Sequence, residues 1–407
     1  RHSHHMKALD VPCPEWLLER LQHHAHRVPF STFMEWALHD PDHGAYGSGQ
    51  LQVGTAGDFV TSPSLGEDFA GLLIHQLIDW LETLAARHPD ALLSIVDVGP
   101  GEADLIAQLI PLLQASAAEW LSRLECVLVE INPGMQLRQR ERLQSLGNIP
   151  CRWCSLQELA AEPVKGILIA HELLDALPVE RLILRSGSLR RQMVTLTTSE
   201  ASVPLLSWDD DPLPPSLQAQ IDEQANRDGL ELPPSGALEG WATEWHHSLD
   251  PWMKEAFAAM TDGMLLVVDY ALESRRYYAA RRADGTLVAY KHQQASTDIL
   301  RDAGSQDITA HVCLESLVGA ASKAGWILNG HCRQGEALLA LGLAERLTAL
   351  QQLPGDQLAQ ALRRREALLR LVDPSCLGEL RWFAFHRFAP TSSEQGNLTS
   401  RFLREPT

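Results

Sequence analysis

Basic residues are scarce in this sequence: 34 Lys and Arg stand against 52 Asp and Glu in 407 residues, a formal charge of -18 at pH 7. So acidic a surface repels nucleic-acid phosphate and anionic lipid unless a concentrated basic stripe offsets it. The run Arg363 to Arg365 falls inside an expected surface helix, so neither nucleic acid nor membrane is an expected partner. Long apolar runs are also missing. Nothing approaches the ~18 to 20 apolar residues of a membrane-spanning helix, and no signal-peptide core follows Met6. Cysteine is sparse and odd in number: Cys13, Cys126, Cys151, Cys154, Cys313, Cys332 and Cys376 are scattered through apolar stretches, which suits a reducing compartment and implies no disulfide framework. Cys151-x-x-Cys154 lacks the second CxxC of a zinc site, so no metal is expected and a short strand around Trp153 is. A cytoplasmic location follows as an expectation. Arg1 to His5, ahead of Met6, resembles a tag remnant and is set apart from the functional argument.

What is present suits a large α/β body, with 45% hydrophobic residues and length for two to three cores. Helices are expected over 14–27 and 31–38, the second with Ser31 as N-cap, then a Gly-, Pro- and Asp-rich loop to Gly57 and a helix over 64–86. Short apolar strands follow at 93–98, 125–130, 151–154, 166–170 and 263–269, alternating with helices. That alternation predicts an open, doubly wound, mainly parallel sheet. A hairpin is expected about Ser186-Gly187-Ser188, then a Pro- and Asp-rich excursion acting as a cap or lid. Another hairpin is expected around Asp284-Gly285, and helices over 314–324, 338–350 and 356–372, the last with Leu358, Leu362, Leu369 and Leu371 inward. The expected organisation is an N-terminal helical and loop segment (6–90), a core in two parts (91–200 and 251–345), an inserted cap (201–250) and a C-terminal helical extension (346–407). The Trp-rich stretch Trp241 to Trp252, with His246 and His247, is expected to pack its indoles inward.

Three places carry chemistry. Asp97-Val-Gly99-Pro-Gly101-Glu-Ala103 puts a glycine turn at the carboxyl end of the first strand, where a ligand can approach backbone and a helix start. A dinucleotide fingerprint would need glycine where Asp104 stands, and Glu102 and Asp104 speak against a phosphate ligand. Glu130 ends the second strand, where a carboxylate can receive both hydroxyls of a ribose. His171, Glu172 and Asp175 leave the fourth strand at the same edge of the sheet, placed to hold a cationic nitrogen and take its proton.

With these segments in place, the sequence resembles the MidA-like family of S-adenosylmethionine-dependent methyltransferases, which includes a mitochondrial complex I assembly methyltransferase. The resemblance rests on the run Phe33 to Tyr46, Gly57-Asp58-Phe59-Val-Thr61-Ser62-Pro63-Ser64, Asp97 to Gly101, Ala170-His171-Glu172-Leu-Leu-Asp175-Ala-Leu-Pro178, Asp269-Tyr270, and Asp307-Ile-Thr309-Ala-His311-Val. It implies a class I methyltransferase fold with a Rossmann-like core, S-adenosyl-L-methionine as cofactor and S-adenosyl-L-homocysteine as product. It further implies that Asp97, Gly99, Gly101 and Glu130 bind the cofactor, with Gly57, Asp58, Thr61, Ser62 and Pro63 closing its pocket. Glu172, Asp175 and His171 would be catalytic, and Asp269, Tyr270 and His311 would face the substrate. The implied acceptor is an arginine of a protein partner; a small-molecule acceptor, or a degenerate non-catalytic assembly factor, are the alternatives. A homodimer is also compatible with this reading. Two departures stand out: Ala103 replaces the third glycine, and the family's Tyr-Arg-x-His string reads Tyr290-Lys-His-Gln.

Overall fold

The computed structural model describes residues 10–49, 51, 60–199, 202–390 and 398–405. The chain forms two compact units, each assembled from separated stretches. One takes Arg1–Gln52, Asp175–Leu249 and Leu272–Gly319 (unit 1); the other takes Val53–Leu174, Asp250–Ala271 and Ala320–Thr407 (unit 2).

Unit 2 is built on a seven-stranded sheet. Its strands are β1 (Leu93–Val98), β2 (Leu124–Val129), β3 (Cys151–Cys154), β4 (Val164–His171), β5 (Met260–Asp269), β6 (Ile327–Arg333) and β7 (Arg381–Arg387), in the order β3-β2-β1-β4-β5-β7-β6. All pairings from β3 to β5 are parallel, and β7 runs antiparallel to both neighbours. Successive strand residues point to opposite faces, so the burial of all six β1 residues means that both faces of the sheet are covered. The order reverses between β1 and β4, the place where open α/β sheets bind ligands. Glycine keeps this seam tight. A Cβ on Gly166 would lie 1.8 Å from the Ser94 carbonyl oxygen, and one on its β5 neighbour Gly263 would lie 2.1 Å from the Gly166 oxygen.

The helices of unit 2 include α1 (Asp68–Arg87), α2 (Asp104–Ala115), α3 (Pro133–Leu143) and α4 (Leu358–Val372). Asn132 caps α3 by accepting the Met135 N–H at 2.9 Å, with Pro133 at the first helical position. Leu73, Leu77 and Trp80 of α1 and Ile106 and Leu109 of α2 share one core with Ile95, Ile167, Leu266 and Trp382 of the sheet.

Strands β6 and β7 were not anticipated, and the helix expected over 338–350 is two, Gln334–Ala340 and Leu343–Gln351, broken at Gly342 with φ +113°. The inward face of α4 is also corrected. Ala361, Leu368 and Leu371 are buried, whereas Leu358, Leu362 and Leu369 are 60, 55 and 46% exposed.

Unit 1 carries an antiparallel sheet in the order Val11–Pro12, Ser202–Pro212, Ser188–Ser199, Glu180–Arg185, Ala242–Trp245, with Arg27–Pro29 added beside Ser188–Ser199. The expected hairpin turns at Ser186 and Gly187, with φ +51° and +80°. The Pro- and Asp-rich excursion is more ordered than its composition suggested. Strand Ser202–Pro212 has Leu206 buried, helix Pro215–Asp228 buries Leu217 and Ile221, and Trp241 and Trp245 are packed inside. Ser31 is not an N-cap. The helix Phe30–His39 starts after Pro29, and the Ser31 hydroxyl instead donates to Glu180 Oε1 at 2.9 Å. Where one hairpin was expected over 277–290, a helical turn Ser274–Tyr277 precedes strand Val288–Lys291, which pairs with Gln294–Ser296 and Asp307–Thr309.

Candidate active site

The glycine turn leaves β1 in left-handed backbone. Gly99 has φ +70° and Gly101 φ +57°, which glycine adopts without the Cβ penalty. A Cβ on Gly99 would come within 3.0 Å of Leu173, whereas one on Gly101 would meet nothing within 4 Å, so the outer surface of the turn faces open space. Ala103, in place of the third glycine, keeps the left-handed conformation with φ +63° and its methyl group buried, so the turn keeps its course. Just before the turn, Asp97 is 3% exposed, and burial pushes its carboxyl up to about 7. The Thr61–Pro63 segment lies against the helix that follows the turn, because Gln108 of α2 donates to the Pro63 carbonyl at 2.9 Å. Ser62 is fully buried and its hydroxyl accepts from Gln334 at 3.1 Å, so this side chain faces the interior network. Gly57 and Asp58 lie outside the described residues.

Glu130 follows β2. Its Oε2 accepts the Asn132 N–H at 3.2 Å and its Oε1 accepts from Gln139 Nε2 at 3.2 Å. Burial raises its pKa, and these hydrogen bonds partly oppose the rise. Gln139 also donates to the Gly101 carbonyl at 2.8 Å and accepts from Trp153 Nε1 at 2.9 Å, so one buried amide fixes the glycine turn to the strand-end carboxylate. Sequence reasoning missed Gln139. The available signal was a polar residue on the apolar stripe Met135, Gln139, Leu143 of α3. The loop acids that spoke against phosphate are paired: Glu102 lies 3.0 Å from Arg138 and Asp104 2.9 Å from Arg142.

At the end of β4, His171 stands edge-on to Phe69, ring centroids 5.4 Å apart, and its Nδ1 lies 3.8 Å from Glu172 Oε2. Burial pushes the imidazole down to about 4, so it is neutral at pH 7, and its Nε2 is buried without a hydrogen-bond partner among the described residues. Glu172 adopts φ +50°, a conformation that costs a non-glycine residue ~1 to 3 kcal/mol and that gathers at functional sites. Its N–H donates to the Val268 carbonyl at 2.7 Å. Asp269, buried at the end of β5, accepts the Leu174 N–H on Oδ2 and the Tyr270 N–H on Oδ1, both at 2.9 Å. Unit 2 therefore gathers the described cofactor candidates with His171, Glu172, Asp269 and Tyr270. Asp175 and His311 belong to unit 1, where the Ala310 N–H donates to the Asp175 carbonyl at 2.9 Å. The His311 imidazole is pushed down to about 4 by burial first, then by Arg282 and Arg276.

An adenosyl group carrying an amino acid fits this set. A glycine cradle faces open space, α2 starts beside it, one carboxylate is placed for paired hydroxyls, and the two arginines beside the turn, Arg138 and Arg142, are each paired with a carboxylate.

Residues 72–332 match the model of a family described as S-adenosyl-L-methionine-dependent methyltransferase. The chain is 24% identical over 388 residues to the protein arginine methyltransferase NDUFAF7 homolog, mitochondrial, of Drosophila melanogaster, covering 86% of this chain and 79% of that protein. It is 24% identical to the mitochondrial protein arginine methyltransferase NDUFAF7 of Rattus norvegicus, with 89 and 80% covered. A crystal structure from Burkholderia thailandensis, bound to S-adenosyl-homocysteine, is similar with a TM-score of 0.78 at 25% identity, covering 98% of this chain and 99% of that one. The mitochondrial relatives overturn the expected cytoplasmic location, which had rested on cysteine usage and on the lack of a signal-peptide core. The strand order, the glycine turn and the family match agree on the fold class, the cofactor and the transfer of a methyl group: the chain belongs to the MidA-like S-adenosyl-L-methionine-dependent methyltransferases.

Proposed function

We propose that the chain transfers a methyl group to a guanidinium nitrogen of an arginine in a partner protein. The carrying observation is Glu172, held in left-handed backbone at the carboxyl end of β4 beside a neutral His171. S-adenosyl-L-methionine supplies a sulfonium methyl; the S–CH3 bond breaks as the N–CH3 bond forms, leaving S-adenosyl-L-homocysteine. Glu172 holds the guanidinium and takes the proton that the nitrogen gives up, with His171 beside it at the end of β4. Alignment of nitrogen, methyl and sulfur supplies much of the remaining acceleration. In this reading Gly99 and Gly101 hold the methionine part, Asp97 its ammonium group and Glu130 the ribose, while Thr61 and Pro63 close the pocket. Tyr270 faces the acceptor, and Asp269 positions Glu172. The names of the curated relatives support an arginine acceptor.

Radiolabelled cofactor incubated with the protein and a lysate of mitochondria, followed by acid hydrolysis of labelled proteins, is expected to give methylated arginine. Label confined to small metabolites overturns the protein acceptor, and no labelling together with no cofactor binding overturns catalysis.

A homodimer belongs to the same proposal, carried by the exposed stripe of α4. A two-fold axis between residues 365 and 366 would set Leu362 against Leu369 of a second copy and Arg365 against Glu366. Sedimentation velocity is expected to give a dimer that Leu362→Glu dissociates, and a monomeric parent protein overturns it.

A further inference from the structure

We propose that the arginine cluster of residues 275–282 in unit 1 docks an acidic segment of a partner protein. In a chain where acids outnumber bases 52 to 34, the string Arg275-Arg-Tyr-Tyr-Ala-Ala-Arg281-Arg282 holds four arginines and no acid. Arg275, Arg276 and Arg281 line, with Ala279 and Ala280, an open cavity of about 530 Å³.

The cluster is anchored from beneath. Tyr277 and Tyr278 between the arginine pairs are buried, and their hydroxyls donate to Glu244, to Oε1 at 2.7 Å and to the main-chain carbonyl at 3.0 Å. Arg282 is tied back to the Arg276 carbonyl at 2.9 Å. Local neutralisation is slight. Arg276 has Glu273 at 3.5 Å, whereas among the described residues Arg275 and Arg281 are exposed with no carboxylate within 4.0 Å. The positive field also reaches inward, since Arg282 and Arg276 add to the burial that keeps His311 neutral.

A guanidinium fork binds carboxylates in pairs, so several closely spaced forks favour successive Asp or Glu side chains. A long polyanion is disfavoured, because the -18 charge of the chain repels whatever extends beyond the patch. A short acidic segment lies within the ~8 Å over which the local arginines dominate at physiological salt. The proposal does not rest on an arginine acceptor, because docking and methyl transfer are read separately.

The test is fluorescence anisotropy of a labelled octaglutamate peptide titrated with the full chain at low salt, beside an octaglutamine peptide, a decauridine RNA and phosphatidylserine vesicles. Octaglutamate is expected to bind best, more weakly as salt rises, and the double variant Arg275→Glu, Arg281→Glu is expected to lose about tenfold or more in affinity. Equal binding by the double variant, equal binding of octaglutamine, or tighter binding of RNA or vesicles overturns the proposal. Calorimetry with S-adenosyl-homocysteine, expected to be unchanged, establishes that the double variant is folded.

Discussion

Asp269 Oδ2 accepts the backbone N–H of Leu174 at 2.9 Å, two residues beyond Glu172, so the end of β5 fixes the path of the chain that leaves β4. Asp269→Ala removes the acceptor from a buried donor and is expected to cost about 1 to 3 kcal/mol in urea denaturation. Turnover should fall more than cofactor affinity, because Glu172 loses its support while the glycine turn keeps its own. Asp269→Asn, which retains one carbonyl acceptor, should recover part of both losses.

Glu172 carries backbone strain that glycine would not. Glu172→Gly is expected to raise stability by about 1 kcal/mol, read as a higher melting temperature, while abolishing methyl transfer. Glu172→Ala should lose activity without the stability gain. A Gly variant no more stable than the Ala variant would show that the left-handed conformation carries no cost.

Gln139 joins Gly101 to Glu130. Gln139→Leu keeps the bulk and removes the hydrogen bonds, and is expected to weaken binding of S-adenosyl-homocysteine about tenfold, measured by calorimetry. Unchanged affinity would mean that the glycine turn holds its shape without this amide.

Asp97 keeps its proton to about pH 7 in the folded chain but releases it near 3.8 when unfolded. Its contribution to stability is therefore full below pH 3.8 and lost as pH rises through 7. His171 runs oppositely. Its folded pKa is about 4 against 6.5, so its contribution is full above pH 6.5 and lost as pH falls through 4. Melting curves of Asp97→Asn should lack the decline between pH 4 and 7. Cofactor affinity of the parent protein should rise from pH 6 to 8 as the carboxylate forms, and that of Asp97→Asn should stay flat.

The strand ends of the candidate site were legible because they break a pattern: an apolar strand stops at a glycine turn, and another stops at His171-Glu172. Strand β6 was not legible, because Ile327-Leu-Asn-Gly-His-Cys-Arg333 is an exposed to half-buried edge strand without a continuous apolar run. The face of α4 was misjudged because leucines lie on both sides of that helix. Burial went to Ala361, Leu368 and Leu371, a choice that helical periodicity alone does not make. Gln139 and the arginine cluster were not legible for another reason: their surroundings come from neighbours distant in sequence. Gly101, Glu130 and Trp153 surround the one, and Glu244 anchors the other.

The glycine seam between β1, β4 and β5 separates two ways of losing this enzyme. A side chain at Gly166 would drive into the Ser94 carbonyl at 1.8 Å, where neighbouring strand backbones leave no room to yield. Such a variant would be short of folded protein in the cell, cleared by proteases, while each surviving molecule kept its full rate. Lesions at Glu172 would do the reverse, leaving an abundant and silent protein, so immunoblot abundance alone would sort inherited variants of this chain into the two classes.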